Sequence, residues 1–513
     1  MYLIATFAVL QLMTMVVRAT INPYHYQNPG QLDVYSFSDS RHQMLAQKLV
    51  NKIVPSSSIP SQSKSHVVNP TSFGADPTGV NDSTVQLQAA VDFLVNFGTT
   101  KDAQGRINLG GAVLDLDGGI FSISDTILFP PGYSSFSIYH GSLIARSNFT
   151  SAAGSYLLQI GSLGKCTSTS GGSNNKNCNS DISITEVTID GRQFAFGGLS
   201  VWDSMNINIG PSLYVVGYVG VGVSLQGSGA GFIHESWFGQ FPPGSPKPIV
   251  STGTAILLNS GQHDCDIFNI IIFSGLVGVN TTNGANRLQG VHTWNLAGSH
   301  GGTGIRLHKG SGRVNNCYLD YAPLVIGIED YQNENKKYVI GNDIAIVEGN
   351  LFLGSSTMVL EAGHKNTIVS NLIVTGNIFH SNNVINATVI LDESNGNKFI
   401  NVENMIMENN EVGQKMESSG KKLSTRATDT AALLIGTKNI TINFDQPLIF
   451  SSSIGIDPLS VKCFLHGEFA TAISTSVNGN EVTIHLSEVV PSWVNYSSVT
   501  CSVDQSRRRS PAH

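Results

Sequence analysis

Two aspartates one residue apart stand in Gly261-Gln262-His263-Asp264-Cys265-Asp266-Ile267-Phe268-Asn269, just ahead of the apolar run Ile270-Ile271-Ile272-Phe273. Read as a β-strand, the stretch sends alternate side chains to opposite faces. Asp264 and Asp266 then share one wall, about 6.6 Å apart at the backbone, and Cys265 points the other way. Two carboxyl groups at a fixed separation suit acid–base cleavage of a glycosidic bond. An inverting enzyme needs one acid to protonate the leaving oxygen and a carboxylate about 6.5 to 9.5 Å away to activate water. Repulsion between neighbouring carboxylates raises one pKa and supplies the acid.

Other residues of the right types precede and follow. Asp190 lies in Thr188-Ile189-Asp190-Gly191, Asp203 in Val201-Trp202-Asp203, then come His234 and Glu235, and His292 lies in Gly290-Val291-His292-Thr293-Trp294-Asn295. Trp202, Trp237, Phe238, Trp294 and Tyr318 flank these positions, and ring faces stack on sugars. Each has a plainer reading. An Asp before Gly is common in turns, most aspartates sit at surfaces, and aromatic rings pack in cores. No compact oxygen-rich loop offers calcium ligands. Gly301-Gly302-Thr303-Gly304 lacks the lysine of a phosphate loop, and no serine elbow stands in a strand-to-helix context. The expectation is a site that needs no cofactor and no metal.

The elements that must position these residues are short. From about 105 to 420, apolar runs such as Ile182 to Ile184, Val219 to Val223, Ala255 to Leu258 and Val389 to Leu391 are separated by Gly and Asn, as buried strands between turns are. Gly349-Asn350-Leu351-Phe352 recurs as Gly376-Asn377-Ile378-Phe379, a shift of 377 − 350 = 27, and Asn409 follows 409 − 377 = 32 later. Periods of about 20 to 50 residues signal stacked repeats, and recurrent asparagines can form a ladder between coils. An all-β parallel helix is the expected fold. Adjacent coils lie about 4.8 Å apart, so residues about one coil apart in sequence assemble a groove. His292 follows Asp264 by 292 − 264 = 28 residues, which places it beside the acid pair.

The chain has 513 residues, 53 of them Gly, and only 13% are charged, against about 25% in an average globular protein. A net charge of −7 with no basic stripe excludes a nucleic-acid partner. Leu3 to Val17 is apolar and Val17-Arg18-Ala19 offers small residues for cleavage, so 1–19 reads as a secretory signal although a basic n-region is missing. No later run is long enough to cross a membrane. Six sequons, at Asn81, Asn148, Asn280, Asn386, Asn439 and Asn495, and six cysteines agree with export. Cys166 with Cys178 and Cys463 with Cys501 are plausible disulfides, whereas Cys265 and Cys317 are hard to pair.

Residues 20–65 read as an N-terminal segment, with a short helix over Ser40 to Val54 and a Ser/Pro-rich linker. The β-helix is expected over 66–428. Over 429–505, Ile440-Thr441-Ile442-Asn443-Phe444 and Val482-Thr483-Ile484-His485-Leu486 alternate as antiparallel strands do, marking a small closing β-domain. Residues 506–513 form a basic tail with Arg507-Arg508-Arg509.

The stretch Val68 to Thr84, with Phe73-Gly74-Ala75-Asp76 and Asp82-Ser83-Thr84, resembles the opening motif of pectin-lyase-like right-handed parallel β-helices, where it precedes a capping helix over Val85 to Val91. Together with Ile189-Asp190-Gly191, Ser236-Trp237-Phe238-Gly239-Gln240, Gly290-Val291-His292-Thr293-Trp294-Asn295 and Asn316-Cys317-Tyr318-Leu319-Asp320-Tyr321, it makes the chain similar to plant quartet-type polygalacturonases. These are divergent relatives of family-28 glycoside hydrolases, associated with pectin breakdown between developing pollen grains. The resemblance implies a secreted cell-wall hydrolase acting on polygalacturonate, and a monomer is expected. Ordinary family members carry Asn-Thr-Asp, Asp-Asp, Gly-His-Gly and Arg-Ile-Lys. Here Thr188-Ile189-Asp190, Asp264-Cys265-Asp266, Gly290-Val291-His292 and Arg306-Leu307-His308-Lys309 stand nearest, and none matches fully. By that carry-over Asp264, Asp266, Asp190 and His292 are catalytic. His234, Glu235, Trp294, Arg306 and Lys309 bind substrate, with Arg306 or Lys309 on a uronate carboxylate. Two alternatives stay open: a wall polysaccharide-binding protein that lost cleavage, and a calcium-dependent lyase.

Overall fold

The apolar runs fold as parallel strands stacked coil upon coil. One inward column alone runs Ile138, Ile184, Ile209, Ile233, Ile267, Leu288, Val314, Val347, Val374 and Met407, every member buried and in register with the next. Burying each such side chain contributes about 1.5 to 3 kcal/mol. The computed structural model describes residues 66–504 except 163–178, 228, 242–250, 260–262, 283–284, 295–301, 309–311, 328–337, 341–343, 355, 363–366, 381–388, 393–395, 397–398, 403–404, 414–420, 424–425, 444–460, 468–470, 472, 479–480 and 495–496. The signal segment, the linker and its helix, the Cys166 to Cys178 pair, Lys309 and the basic tail therefore lie outside the described residues.

The coils form the parallel β-helix that the repeats imply. Ten strands, from Ile127–Phe129 to Val389–Asp392, make one parallel sheet. A smaller parallel sheet pairs Tyr338–Ile340, Thr367–Val369 and Phe399–Val402, and a 22-stranded, mostly parallel sheet makes most of the remaining wall. Its strands that bear candidate residues are β1 (Tyr133–Ala145), β2 (Asn179–Asp190), β3 (Ser204–Ile209), β4 (Tyr214–Val216), β5 (Gly229–His234), β6 (Trp237–Gly239), β7 (His263–Phe273), β8 (Arg287–Trp294), β9 (Gly312–Asn315) and β10 (Tyr318–Asp320).

Within this sheet each coil turns a corner on a left-handed residue. His140, Glu186, Asn269 and Gly290 occupy it inside β1, β2, β7 and β8, at φ 68°, 54°, 53° and 62°. Glu235 and Asn316 occupy it between β5 and β6 and between β9 and β10, at φ 47° and 52°. Few L residues accept that backbone, and Asn and Gly accept it most readily. The corner divides the outer surface into an upstream face, before it, and a downstream face, after it.

Three buried asparagines bind successive coils. Asn350 N–H donates to Asn377 Oδ1 at 3.0 Å, and Asn377 N–H to Asn410 Oδ1 at 3.0 Å. Their side-chain amides repeat the link at 2.9 and 2.8 Å. The last rung is Asn410, while Asn409, which the spacing points to, takes the left-handed corner position at φ 57°.

Helix α1 (Thr84–Val95) buries Leu87, Ala90, Val91 and Leu94 against the first coils. Its N-cap is Ser83, and the Asp82 carboxylate accepts from Thr84 N–H at 3.0 Å. Just before it, the Asp76 carboxylate accepts from the Thr78 hydroxyl, the Asn81 and Thr78 amides and the Asn81 side chain, which hold its carboxyl well below the usual range. The resembling motif is thus a carboxylate-centred turn leading into the cap.

Beyond Arg426 the pairing becomes antiparallel. Two three-stranded sheets enclose a separate core that includes Val482, Ile484, Val499 and Val503. The expected Cys463–Cys501 disulfide joins two directly opposed residues there. Cys265 and Cys317 are both buried. No helix among the described residues is long and apolar enough to cross a membrane.

Candidate active site

Strand β7 does not run straight through its acids. Asp264 has φ 57°, a left-handed kink, so the simple alternation expected of Asp264, Cys265 and Asp266 is interrupted. Cys265 nevertheless enters the core, Asp264 is exposed and Asp266 is half-buried on the upstream face. Main-chain bonds fix the segment: Asp264 N–H donates to Ala285 O at 3.2 Å, and Cys265 N–H to the buried Asn286 Oδ1 at 3.1 Å.

Asp266 has a partner that sequence reasoning missed. In register, Asp266 lies beside Arg287, and Arg287 beside Arg313. Arg287 grips both Asp266 oxygens, Nε to Oδ1 at 2.9 Å and Nη2 to Oδ2 at 2.6 Å. This is the bidentate charge-assisted form. Arg313 is exposed and makes no ion pair among the described residues. Asp266, Ala285, Arg287, Gly312, Arg313 and Ile344 line a cleft of about 410 Å³, a volume suited to a small ligand. Phe232, 44% exposed, lies in register on the other side of Asp266 and offers a ring beside the cleft. The sequence signal was present: both arginines directly precede buried aliphatics of their strands. Without coil lengths nothing aligned them with Asp266.

The remaining expected residues divide among three surfaces. His234 flanks the cleft on the upstream face, where Nε2 meets Asn208 Oδ1 at 2.9 Å and the ring stacks on Phe268 at 4.9 Å. Glu235 is the corner residue, its carboxylate 3.7 Å from His234 Nδ1. Asp190, His292 and Trp294 lie past the corner on the downstream face, so the single groove expected to join them to Asp264 and Asp266 is not formed. The reason is coil length. From β7 to β8 the register advances by 287 − 266 = 21 residues, which brings Ala285, not His292, beside Asp264. His292 instead faces Ile271. Arg306 is on the ten-stranded sheet, tied to Glu361 at 2.8 Å, and so is not positioned beside the acids.

On the downstream face His292 packs edge-on against Tyr318 at 4.4 Å. Burial lowers its pKa, an effect the nearby Asp320 carboxylate partly offsets; burial raises that of Asp320, offset in turn by His292.

No family profile matches the chain. Among curated proteins, polygalacturonase QRT3 of Arabidopsis thaliana is 27% identical over 435 residues, 82% of either chain. Similar solved structures include ORF18 of Geobacillus virus E2 (TM-score 0.49, 11% identity, 91% of this chain and 84% of that one). Another is the A-module of the mannuronan C-5 epimerase AlgE6 of Azotobacter vinelandii (TM-score 0.43, 13% identity, 69% and 95%). Similarity over 82% of both chains agrees with the motifs, and the chain is similar to a plant polygalacturonase.

Proposed function

We propose that this chain is a secreted polygalacturonase that hydrolyses α-1,4-galacturonosyl links of demethylated pectin in the plant cell wall, in the manner that separates pollen tetrads. The observation that carries the reading is the similarity to a polygalacturonase over 82% of both chains. The cleft supports it chemically, because Arg313, beside the Arg287–Asp266 pair, places positive charge there on a protein whose net charge of −7 otherwise repels a polyuronate.

Asp264 is the general acid that protonates the leaving glycosidic oxygen. Asp266 is the base. A carboxylate offers about four lone-pair positions, so its oxygens accept from Arg287 and still take a proton from water. That water attacks the anomeric carbon from the opposite side, its hydroxyl replaces the leaving sugar, and the configuration inverts. Arg313 pairs with a substrate carboxylate.

A second reading, a polysaccharide-binding protein without cleavage, is favoured by the engagement of both Asp266 oxygens with Arg287. Incubation with polygalacturonate, with and without a chelator, separates the readings. New reducing ends, no unsaturated products and no effect of the chelator are expected. Unsaturated ends lost on chelation would indicate a lyase, and retained binding without cleavage the second reading. Asp264→Asn should abolish cleavage with the fold intact; a fully active variant refutes the assignment.

A further inference from the structure

The downstream face carries a second surface, across the corner from the cleft. Its outward positions form two adjacent columns along the helix axis. One reads Thr188, Tyr214, Trp237, Ile271, His292, Tyr318; the other passes from Asp190 through Phe273 and Trp294 to the position of Asp320. Tyr214 to Tyr318 spans four coil steps, about 19 Å.

The rings are held in place. Phe273, only 3% exposed, lies beneath two of them: Tyr214 stacks on it at 6.1 Å and Trp237 tilts against it at 6.1 Å. Trp237 and Trp294 are 47% and 49% exposed. Tyr214 and Trp237, fixed by packing on Phe273 rather than by a ligand, bind without an ordering penalty. None of these register positions is Lys or Arg, and Asp190 and Asp320 supply carboxylates that accept hydrogen bonds from hydroxyls. A polyuronate would meet like charge here. The charge pattern is the reverse of the cleft.

We infer that this strip binds an uncharged pyranose polysaccharide, whose C–H faces stack on Trp237 and Trp294 and whose hydroxyls donate to the flanking carboxylates. It is a binding surface separate from the cleft and takes a different wall polymer. The reading stands whether or not the cleft cleaves pectin.

Retardation of the full chain in native gels containing soluble neutral galactan, xyloglucan or mixed-linkage glucan tests it, with polygalacturonate as the charged control. Wild type should be retarded by at least one neutral polymer. Trp237→Ala and Trp294→Ala should each weaken that binding about tenfold, as expected for loss of a stacked ring, and Trp294→Phe should restore most of it. Circular dichroism and the thermal midpoint identify a variant that is merely misfolded, and Trp294→Phe then carries the comparison. No retardation of wild type by any neutral polymer overturns the inference. So does unchanged binding by the double alanine variant, or loss confined to the polygalacturonate gel. Reducing-end release from short oligogalacturonates, read on Trp237→Ala, should stay at the wild-type level. Absent cleavage with intact neutral-polymer binding would count against the cleft and not against the strip.

Discussion

Arg313→Gln is the most direct probe of the cleft. The guanidinium is exposed, sits in register beside Arg287 and makes no ion pair among the described residues, while Arg287 is committed to Asp266. Its removal therefore breaks no ion pair among the described residues and takes away one charged contact to a uronate. Hydrogen bonds to charged groups are worth about 1.5 to 3 kcal/mol, and exposure places this one at the low end, because unit charges 4 Å apart in water interact by about 1 kcal/mol. A loss of about 1.4 kcal/mol is a tenfold fall in kcat/KM. The contact exists in ground and transition states alike, so the fall should appear mainly as a raised KM. Initial rates of reducing-end release on polygalacturonate at low salt measure it. Two controls tie the effect to charge. Highly methyl-esterified pectin, which lacks the carboxylate, should show little difference between variant and wild type. At 1 M salt, where the screening length is about 3 Å, the gap on polygalacturonate should narrow. Arg313→Lys should fall between, keeping the charge and losing the fork. Equal rates of Arg313→Gln and wild type on polygalacturonate at low salt, or equal losses on both substrates, would refute the assignment of this cleft to a polyuronate.

The ladder predicts a large stability loss for Asn377→Ala, which leaves the Asn350 amide and the Val347 carbonyl without their side-chain partner inside the core. At about 1 to 3 kcal/mol for each buried orphan, the cost is roughly 2 to 6 kcal/mol by urea unfolding, and a cost below about 1 kcal/mol would contradict the ladder's role. His292 has a folded pKa below its unfolded one, so its contribution to stability is full above the ordinary histidine value near 6.5 and is lost as pH falls through the lower folded value. His292→Gln should flatten the decline of the thermal midpoint below about pH 6.5; an unchanged slope argues against it. Burial pushes the Cys317 thiol up to about 12, so it should resist iodoacetamide at pH 8 in the native protein and react after urea unfolding, as mass mapping of the labelled peptide would show.

Much of the fold was legible because the core repeats chemically. Gly349-Asn350-Leu351-Phe352 and Gly376-Asn377-Ile378-Phe379 each set a corner glycine, a ladder asparagine and a core phenylalanine in the same order, and the rings of Phe352 and Phe379 stack at 4.5 Å. The site was less legible, for two physical reasons. Coils are not of one length: the aliphatic column advances by 267 − 233 = 34 residues into β7 and by 288 − 267 = 21 out of it, so equal sequence spacing does not mean adjacency. The left-handed backbone of Asp264 is likewise invisible to an argument from alternation, since aspartate takes that conformation without a glycine to announce it. Arg287 and Arg313 carry no motif at all. They become a pair only once Leu288 and Val314 are known to share a column.

The corner has a consequence for how such a chain can change. Main-chain ladders and inward columns keep the coils in register, while the left-handed residue at each corner reverses which side chains the next segment shows to water. Side chains before and after the corner alternate with opposite parity, so each face presents its own set to water. The two surfaces are therefore separate evolutionary ledgers written on one spine. A side chain on the upstream face can change while the rings downstream and the spine between them stay as they are.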